Sequence, residues 1–253
     1  MSDQTANLAV FIDLENLAIG VREDKLGKFD VEVVMRRLVE KGNIIVRKAY
    51  ADWSHFEEYK RPLHEAGVEL IDMPGSKLTG KNSADIKMVV DALEMAFTRQ
   101  HIDVFALCTG DSDFSPLASK LRENGKRTIG IGVKKSTSRI LKDSCDEFIY
   151  YDDLAKPRTK KRGGKISKLP QKTREGFDLL LDAARALQRE NKDLNSSLVK
   201  DTMKRMQPQF NEEYHGYSSF GKLLEDAQAH KLIRLGTNPK SKTWVIEEVL
   251  EDG

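Results

Sequence analysis

Leu8-Ala9-Val10-Phe11-Ile12-Asp13 and Val104-Phe105-Ala106-Leu107-Cys108, the second running on into Thr109-Gly110-Asp111-Ser112-Asp113, are the stretches that decide the fold. Each is a short, unbroken apolar run that gives way to acidic residues. A strand buried on both faces has this composition, since neither face tolerates an unpaired polar side chain, and such strands belong to parallel sheets covered by helices. The carboxylates then stand just beyond the C-terminal strand ends, where loops converge without opening the core.

Outward from these runs, strands and helices alternate. Residues 31–41 have a helical pattern that closes at Gly42, and the β-branched run 44–51 is a strand. A helix over 56–66 has Gly67 as its C-cap, followed by a strand at 68–71. The polar loop 74–83 leads into a helix over 84–97, in which Ile86, Val89, Val90, Leu93 and Phe97 recur close to the 3.6-residue period and supply the apolar face. A helix over 114–124, stopped at Gly125, and strands at 128–133 and 147–151 complete the region. The class is α/β, a mostly parallel sheet flanked by helices.

Farther along, helices are expected over 173–189, 196–206 and 217–229, with Leu198, Met203 and Met206 on the second and Phe220, Leu223, Leu224 and Ala227 on the third. Residues 232–235 and 243–246 read as a β-hairpin closed by the turn 236–241. Three helices and a hairpin make a small winged-helix α+β domain. Apolar spacing alone also fits an unrelated α+β accessory domain.

Charge divides the chain in the same way. Residues 1–155 carry 22 Lys/Arg against 26 Asp/Glu, residues 156–174 carry nine basic and no acidic residues, and residues 175–253 carry 11 against 14. The basic segment also holds Pro157, Gly163, Gly164 and Pro170, so residues 156–169 read as a flexible linker between domains at 1–155 and 170–253. Its density of Lys and Arg, including Lys160, Lys161 and Arg162, suits a polyanion; a solubilising tether is the other reading. No apolar run is long enough to span a bilayer and no signal peptide is legible, which leads us to expect a cytoplasmic protein. Cys108 and Cys145 lack metal-ligand spacing and are expected as reduced thiols; His55, His64 and His101 have no zinc arrangement, and there is no nucleophile-elbow sequence.

The chemistry-bearing residues are therefore carboxylates. Asp13 follows the first strand, Asp111 and Asp113 follow the strand ending at Cys108, and Asp85 opens a helix after a polar loop that can carry it to the same edge. Asp91, six residues beyond Asp85, is rotated by about 240° and falls on another face. Clustered carboxylates repel unless protonated or balanced by cations, and hard oxygen donors suit Mg²⁺ or Mn²⁺. Such an ion polarises a scissile phosphate and acidifies a water for phosphodiester hydrolysis. Asp13 and Asp111 lead as direct ligands; Asp85 and Asp113 bind the metal or position its water. Asn16 orients substrate or an outer water, Thr109 and Ser112 donate to phosphate or to the carboxylates, and Lys81 neutralises phosphate or is simply solvated. Each aspartate also has a structural role open to it: Asp13 as a cap on Asn16, Asp111 as organiser of the Gly110 turn, Asp85 as a helix cap.

Residues 7–153 resemble the NYN family of the PIN-like nuclease superfamily. The likeness is carried by FIDLENL at 11–17, KNSADIKMVVDALE at 81–94 and LCTGDSDFSPLASKLRENGKRTIGIG at 107–132. It places the family's acidic set on Asp13, Asp85, Asp111 and Asp113, with Asn16 in the opening motif. It implies a metal-dependent endoribonuclease acting on single-stranded or locally unpaired RNA. Residues 170–248, above all MQPQFNEEYHGYSSFGKLLEDAQAHKLIRL at 206–235, resemble an OST-HTH, or LOTUS, domain. That resemblance implies an RNA-binding winged helix, with protein contacts in some relatives. Tyr214 and Tyr217 then stack on bases if exposed, Phe220 and Trp244 belong to the core, and Lys200, Lys204 and Arg205 attract phosphate. A noncatalytic RNA-binding regulator and a protein-interaction scaffold are the alternatives; a homodimer is compatible with the sequence, which identifies no seam for one.

Overall fold

The computed structural model describes residues 5–73, 83–156, 169–239 and 241–250. Lys81, Lys160, Lys161 and Arg162 lie outside the described residues, as does most of the expected linker. The chain forms two compact units, Met1–Leu38 with Gly42–Pro157, and Val39–Lys41 with Arg158–Gly253.

The first unit is built on six strands: β1 (Asn7–Asp13), β2 (Asn43–Ala51), β3 (Glu69–Asp72), β4 (Val104–Cys108), β5 (Arg127–Gly132) and β6 (Glu147–Tyr150). Every pairing is parallel, in the order β3-β2-β1-β4-β5-β6. The helices are α1 (Leu14–Glu23), α2 (Val31–Lys41), α3 (Glu57–Glu65), α4 (Ser83–Thr98), α5 (Ser115–Glu123), α6 (Arg139–Ser144) and α7 (Tyr151–Ala155). β1 feeds both layers. Leu8, Val10 and Ile12 pack with Leu14, Leu17, Val34 and Leu38, whereas Ala9 and Phe11 pack with Met88, Ala92, Phe105 and Leu117. Phe11 and Phe105 stack with ring centroids 6.0 Å apart. Each large side chain so buried contributes about 1.5–3 kcal/mol of transfer free energy, which is why these runs hold no polar residue before their ends.

The strand order reverses direction at β1 and β4. Strands added on one side of β1 lead their connections one way, and those added beyond β4 lead the other, which leaves a crevice at the C-terminal ends of this pair. Register places Ile12 beside Cys108, and Cys108 beside Ile131. The residues after β1 and after β4 therefore open onto one crevice.

α1, α6 and α7 were not expected from periodicity. α1 begins at once after the strand because the Asp13 side chain caps it; α6 is capped by Ser138. The face of α4 also differs from expectation: Met88, Ala92, Met95 and Ala96 are buried, while Ile86, Val90 and Phe97 point outward.

The second unit is a smaller α+β body of α8 (Gln171–Arg189), α9 (Ser196–Met206), α10 (Phe220–Ala229) and the antiparallel pair β7 (Ile233–Thr237) and β8 (Trp244–Val249). An isolated antiparallel bridge joins Asn195 to Val245. Phe177, Leu180, Leu187, Val199, Met203, Leu223, Leu224 and Ile246 form its core. α10 starts at Phe220 rather than at 217 because Ser219 supplies the cap to Lys222. No helix among the described residues is long and apolar enough to cross a membrane.

Candidate active site

Asp13 is the last residue of β1 and is only 8% exposed. Its Oδ1 accepts the backbone N–H of Asn16 at 3.2 Å and its Oδ2 accepts the Thr109 hydroxyl at 2.9 Å. Thr109, fully buried past the end of β4, in turn accepts the Asp111 N–H at 3.2 Å. Asn16 crosses from α1 to the same loop, its Oδ1 accepting the Gly110 N–H at 2.7 Å. Asp111 caps the short 3-10 turn Ser112–Phe114, accepting the Asp113 N–H at 3.0 Å. The Ser112 hydroxyl sits 3.5 Å from the same Asp111 oxygen. The capping roles open to Asp13 and Asp111 are thus filled, and filled by residues that also tie β1, α1 and β4 into one edge.

The third wall comes from the loop after β5, which the sequence reading did not single out. The Ser138 N–H donates to Gly110 O at 2.9 Å. Gly132 and Gly110 let this loop close in: a Cβ at Gly132 would lie 2.5 Å from Thr137 Oγ1 and 2.9 Å from Thr109 O. The signal was present as a second Ser/Thr-rich segment, KKSTS, directly after an apolar strand. Glu15, in the first turn of α1, accepts the Asp52 N–H at 2.9 Å and adds to the negative field on both Asp13 and Asp85.

Electrostatics separates Asp13 from the other buried carboxylate on this sheet face. Asp91 accepts the Tyr50 hydroxyl at 2.8 Å and the Lys87 ammonium at 2.6 Å, with Lys48 3.9 Å away. Burial opposes its ionisation, yet those hydrogen bonds and lysine charges outweigh it and hold the carboxyl below the usual range. Asp13 has no such balance. Burial, then the charges of Asp85 and Glu15, push it up to about 7, with the Asn16 and Thr109 hydrogen bonds only partly offsetting them. Asp85, half-buried at the start of α4, is raised by burial and then by Asp111, Asp113 and Glu15. Asp13 thus senses Asp85, and Asp85 senses the Asp111–Asp113 turn, in an acidic group whose charged neighbours acting on these two carboxyls are, among the described residues, all acidic. Asp91 is a satisfied structural carboxylate; Asp13 is not.

That group fits a divalent cation in donor type and charge. It does not form a closed cage: among the described residues no group of three or more His, Cys, Asp or Glu side chains is gathered closely enough to hold a metal ion.

In the second unit, Tyr214 is 54% exposed, with Lys172 Nζ 4.5 Å from its ring centroid and His215 edge-on at 5.1 Å. Tyr217 packs 6.2 Å from Phe177 and donates its hydroxyl to Asp226 at 2.6 Å, a core role. Phe220 is buried as expected, while Trp244 is more open than expected, at 36%. Lys204 is exposed. Lys200 is paired with Glu212 at 2.7 Å, and Arg205 is half-buried, donating to Thr202 at 2.9 Å.

The NYN domain family matches residues 7–152. An uncharacterised protein of Methanocaldococcus jannaschii is 29% identical over 120 residues; the match covers 47% of this chain and 47% of that protein, so the chain spans about half the length of the curated relative it matches. A crystal structure of a protein of unknown function from Vibrio parahaemolyticus aligns with TM-score 0.54 and 25% identity, covering 61% of this chain and 98% of that one.

Proposed function

We propose that this chain, which belongs to the NYN domain family, is a metal-dependent endoribonuclease that cuts single-stranded or locally unpaired RNA in the cytoplasm. The observation that carries the proposal is Asp13: a buried carboxylate at the reversal of strand order, pushed up to about 7 by burial and by the Asp85 and Glu15 charges, with no cation among the described residues to balance it. Family membership in the PIN-like nuclease superfamily supports the same reading.

In this proposal Asp13 and Asp111 hold the ion, and Asp85 and Asp113 complete its surroundings or orient water. A bound Mg²⁺ or Mn²⁺ supplies Lewis-acid polarisation of the scissile phosphodiester and a water of lowered pKa. Thr109 fixes the Asp13 carboxylate in place and is itself too buried to touch substrate. Asn16 locks the Gly110 turn, which sets where Asp111 stands. Ser112, half-exposed beside Asp111, contacts the phosphate backbone, and Lys81 is assigned to neutralise it. The second unit acts as an OST-HTH/LOTUS-like winged helix that brings RNA to the site, with Tyr214 as its stacking residue, Lys204 and the linker residues Lys160, Lys161 and Arg162 as phosphate contacts, and Tyr217, Lys200 and Arg205 in support.

The open arrangement of the carboxylates favours a second reading, a noncatalytic RNA-binding regulator. The test is cleavage of end-labelled single-stranded RNA, duplex RNA and DNA by the wild-type chain, Asp13→Asn and Asp111→Asn, in Mg²⁺, Mn²⁺ or EDTA, with circular dichroism as the fold check. Metal-supported RNA cleavage that falls at least a hundredfold in both folded variants supports the enzyme; RNA binding without cleavage by any form moves the assignment to the regulator.

A further inference from the structure

α4 is apolar on two opposite sides. Met88, Ala92, Met95 and Ala96 face the sheet, and on the far side Ile86, Val90 and Phe97 are 62%, 50% and 55% exposed, with Leu93 half-buried between them and also touching the core. The outward positions of α3 and α5 are instead Glu57, Glu58, Arg61 and Glu65, and Lys120, Arg122 and Glu123. Residues 86, 90, 93 and 97 follow the i, i+4, i+7, i+11 spacing, so they form one continuous ridge along the helix rather than scattered apolar side chains. A second apolar side on a surface helix, beyond the one that faces the core, is normally covered.

The pattern along the ridge indicates what covers it. Lys87 and Glu94 lie seven residues apart on the same flank. If a second α4 crosses antiparallel about a two-fold axis, Ile86 meets Phe97 of the second copy and Val90 meets its Leu93. The same operation brings equal flanks together, so Lys87 of each copy stands near Glu94 of the other. A parallel two-fold pairing would instead set this flank against the opposite, uncharged flank of Val89 and Ala96, leaving Lys87 and Glu94 without partners across the contact. The ridge is therefore self-complementary in both shape order and charge for one arrangement, the isologous contact of a two-fold dimer. Lys87 also reaches Asp91 at 2.6 Å on its own helix, which holds its stem along this flank while the side chain stays 47% exposed.

We propose that the outward face of α4 is the interface of a symmetric homodimer, packed antiparallel on Ile86, Val90, Leu93 and Phe97. Four half-open apolar side chains per copy are at the small end of specific interfaces, so the dimer is weak, with a dissociation constant on the order of 1–100 µM. Because Asp85 directly precedes the ridge, dimerisation sets the two acidic crevices about 20 Å apart along the helix direction, from a 1.5 Å rise per residue.

Sedimentation equilibrium of the full chain from about 1 to 200 µM tests this. The wild type is expected to pass from monomer to dimer over that range. Val90→Asp with Phe97→Asp should be monomeric throughout, with unchanged circular dichroism and melting, since both positions are exposed. Lys87→Glu alone should weaken the dimer roughly three- to thirtyfold, from two exposed ion pairs turned repulsive, and adding Glu94→Lys should restore it to within about threefold. A wild-type chain monomeric throughout overturns the proposal, whether another protein or another part of the chain then covers the ridge. A dimer that survives the paired aspartates, or is indifferent to the charge reversals, overturns it as well.

Discussion

Replacing Asp13 by Asn should make the metal-free protein more stable at neutral and alkaline pH while removing metal-supported cleavage. The Asp13 carboxyl stands at about 7 in the folded chain against an ordinary 3.8. Ionising it inside the fold thus costs about 4 kcal/mol relative to the unfolded chain, at roughly 1.4 kcal/mol per tenfold change in proton affinity. The folded state holds this proton more tightly than the unfolded one, so the contribution falls as pH rises: nothing is lost below about 4, loss grows between about 4 and 7, and it is complete above 7. Asn removes the charge and still fits, its Oδ1 accepting from the Asn16 N–H and its Nδ2 donating to Thr109 Oγ1. The expected gain for Asp13→Asn in EDTA is about 3–4 kcal/mol at pH 8, on the order of 10 °C in melting temperature, shrinking towards zero at pH 4. Urea unfolding can be followed through Trp53, buried in the first unit, in a Trp244→Phe background that silences the second tryptophan. Saturating Mn²⁺ should raise the wild-type midpoint and leave the variant unmoved. A variant no more stable than wild type at pH 8 in EDTA would refute the reasoning, because it would mean that Asp13 is already balanced within the fold.

Mn²⁺ affinity measured by calorimetry should rise close to tenfold per pH unit below 7 and level off above it, since entry of the ion must expel the Asp13 proton; a flat profile from pH 5.5 to 7 counts against Asp13 as a ligand. Gly132→Ala should cost about 1–3 kcal/mol, because its Cβ meets Thr109 O, a backbone atom that cannot swing away, and Thr137 Oγ1; denaturant unfolding gives the value, and no loss would mean the third wall is not packed as described. Tyr214→Ala should weaken single-stranded RNA binding about tenfold without lowering the melting temperature, whereas Tyr217→Phe should lower stability by about 1 kcal/mol, from the lost bond to Asp226, and leave RNA affinity intact.

The parallel sheet was legible because its strands are buried on both faces, which leaves composition little freedom: β4 is apolar at all five positions and buried at all five. The acidic edge was legible for the same reason, since Asp13 and the Asp111–Asp113 turn mark where the apolar runs end. What sequence could not carry was direction. Apolar residues on two opposite sides of α4 give periodicity no single face to choose, and of the expected face Val89 and Leu93 pack against the core while Ile86, Val90 and Phe97 face solvent. Nor can spacing tell a compensated carboxylate from an uncompensated one. Asp91 and Asp13 leave the same small fraction exposed to solvent, and what separates structure from chemistry is the heavier effect of burial on Asp13 together with the register that brings Tyr50, Lys48 and Lys87 to Asp91. The contributions of Thr137, Ser138 and Glu15 depend on loops meeting across strands far apart in sequence.

The most direct test of the central claim is single-turnover cleavage of an end-labelled single-stranded RNA in Mn²⁺ by the wild-type chain and by Asp111→Asn, with matched circular dichroism and RNA binding. The account predicts internal cuts by the wild type that vanish in EDTA and fall at least a hundredfold in the variant. Equal cleavage by the two proteins, or cleavage that persists in EDTA, would contradict it.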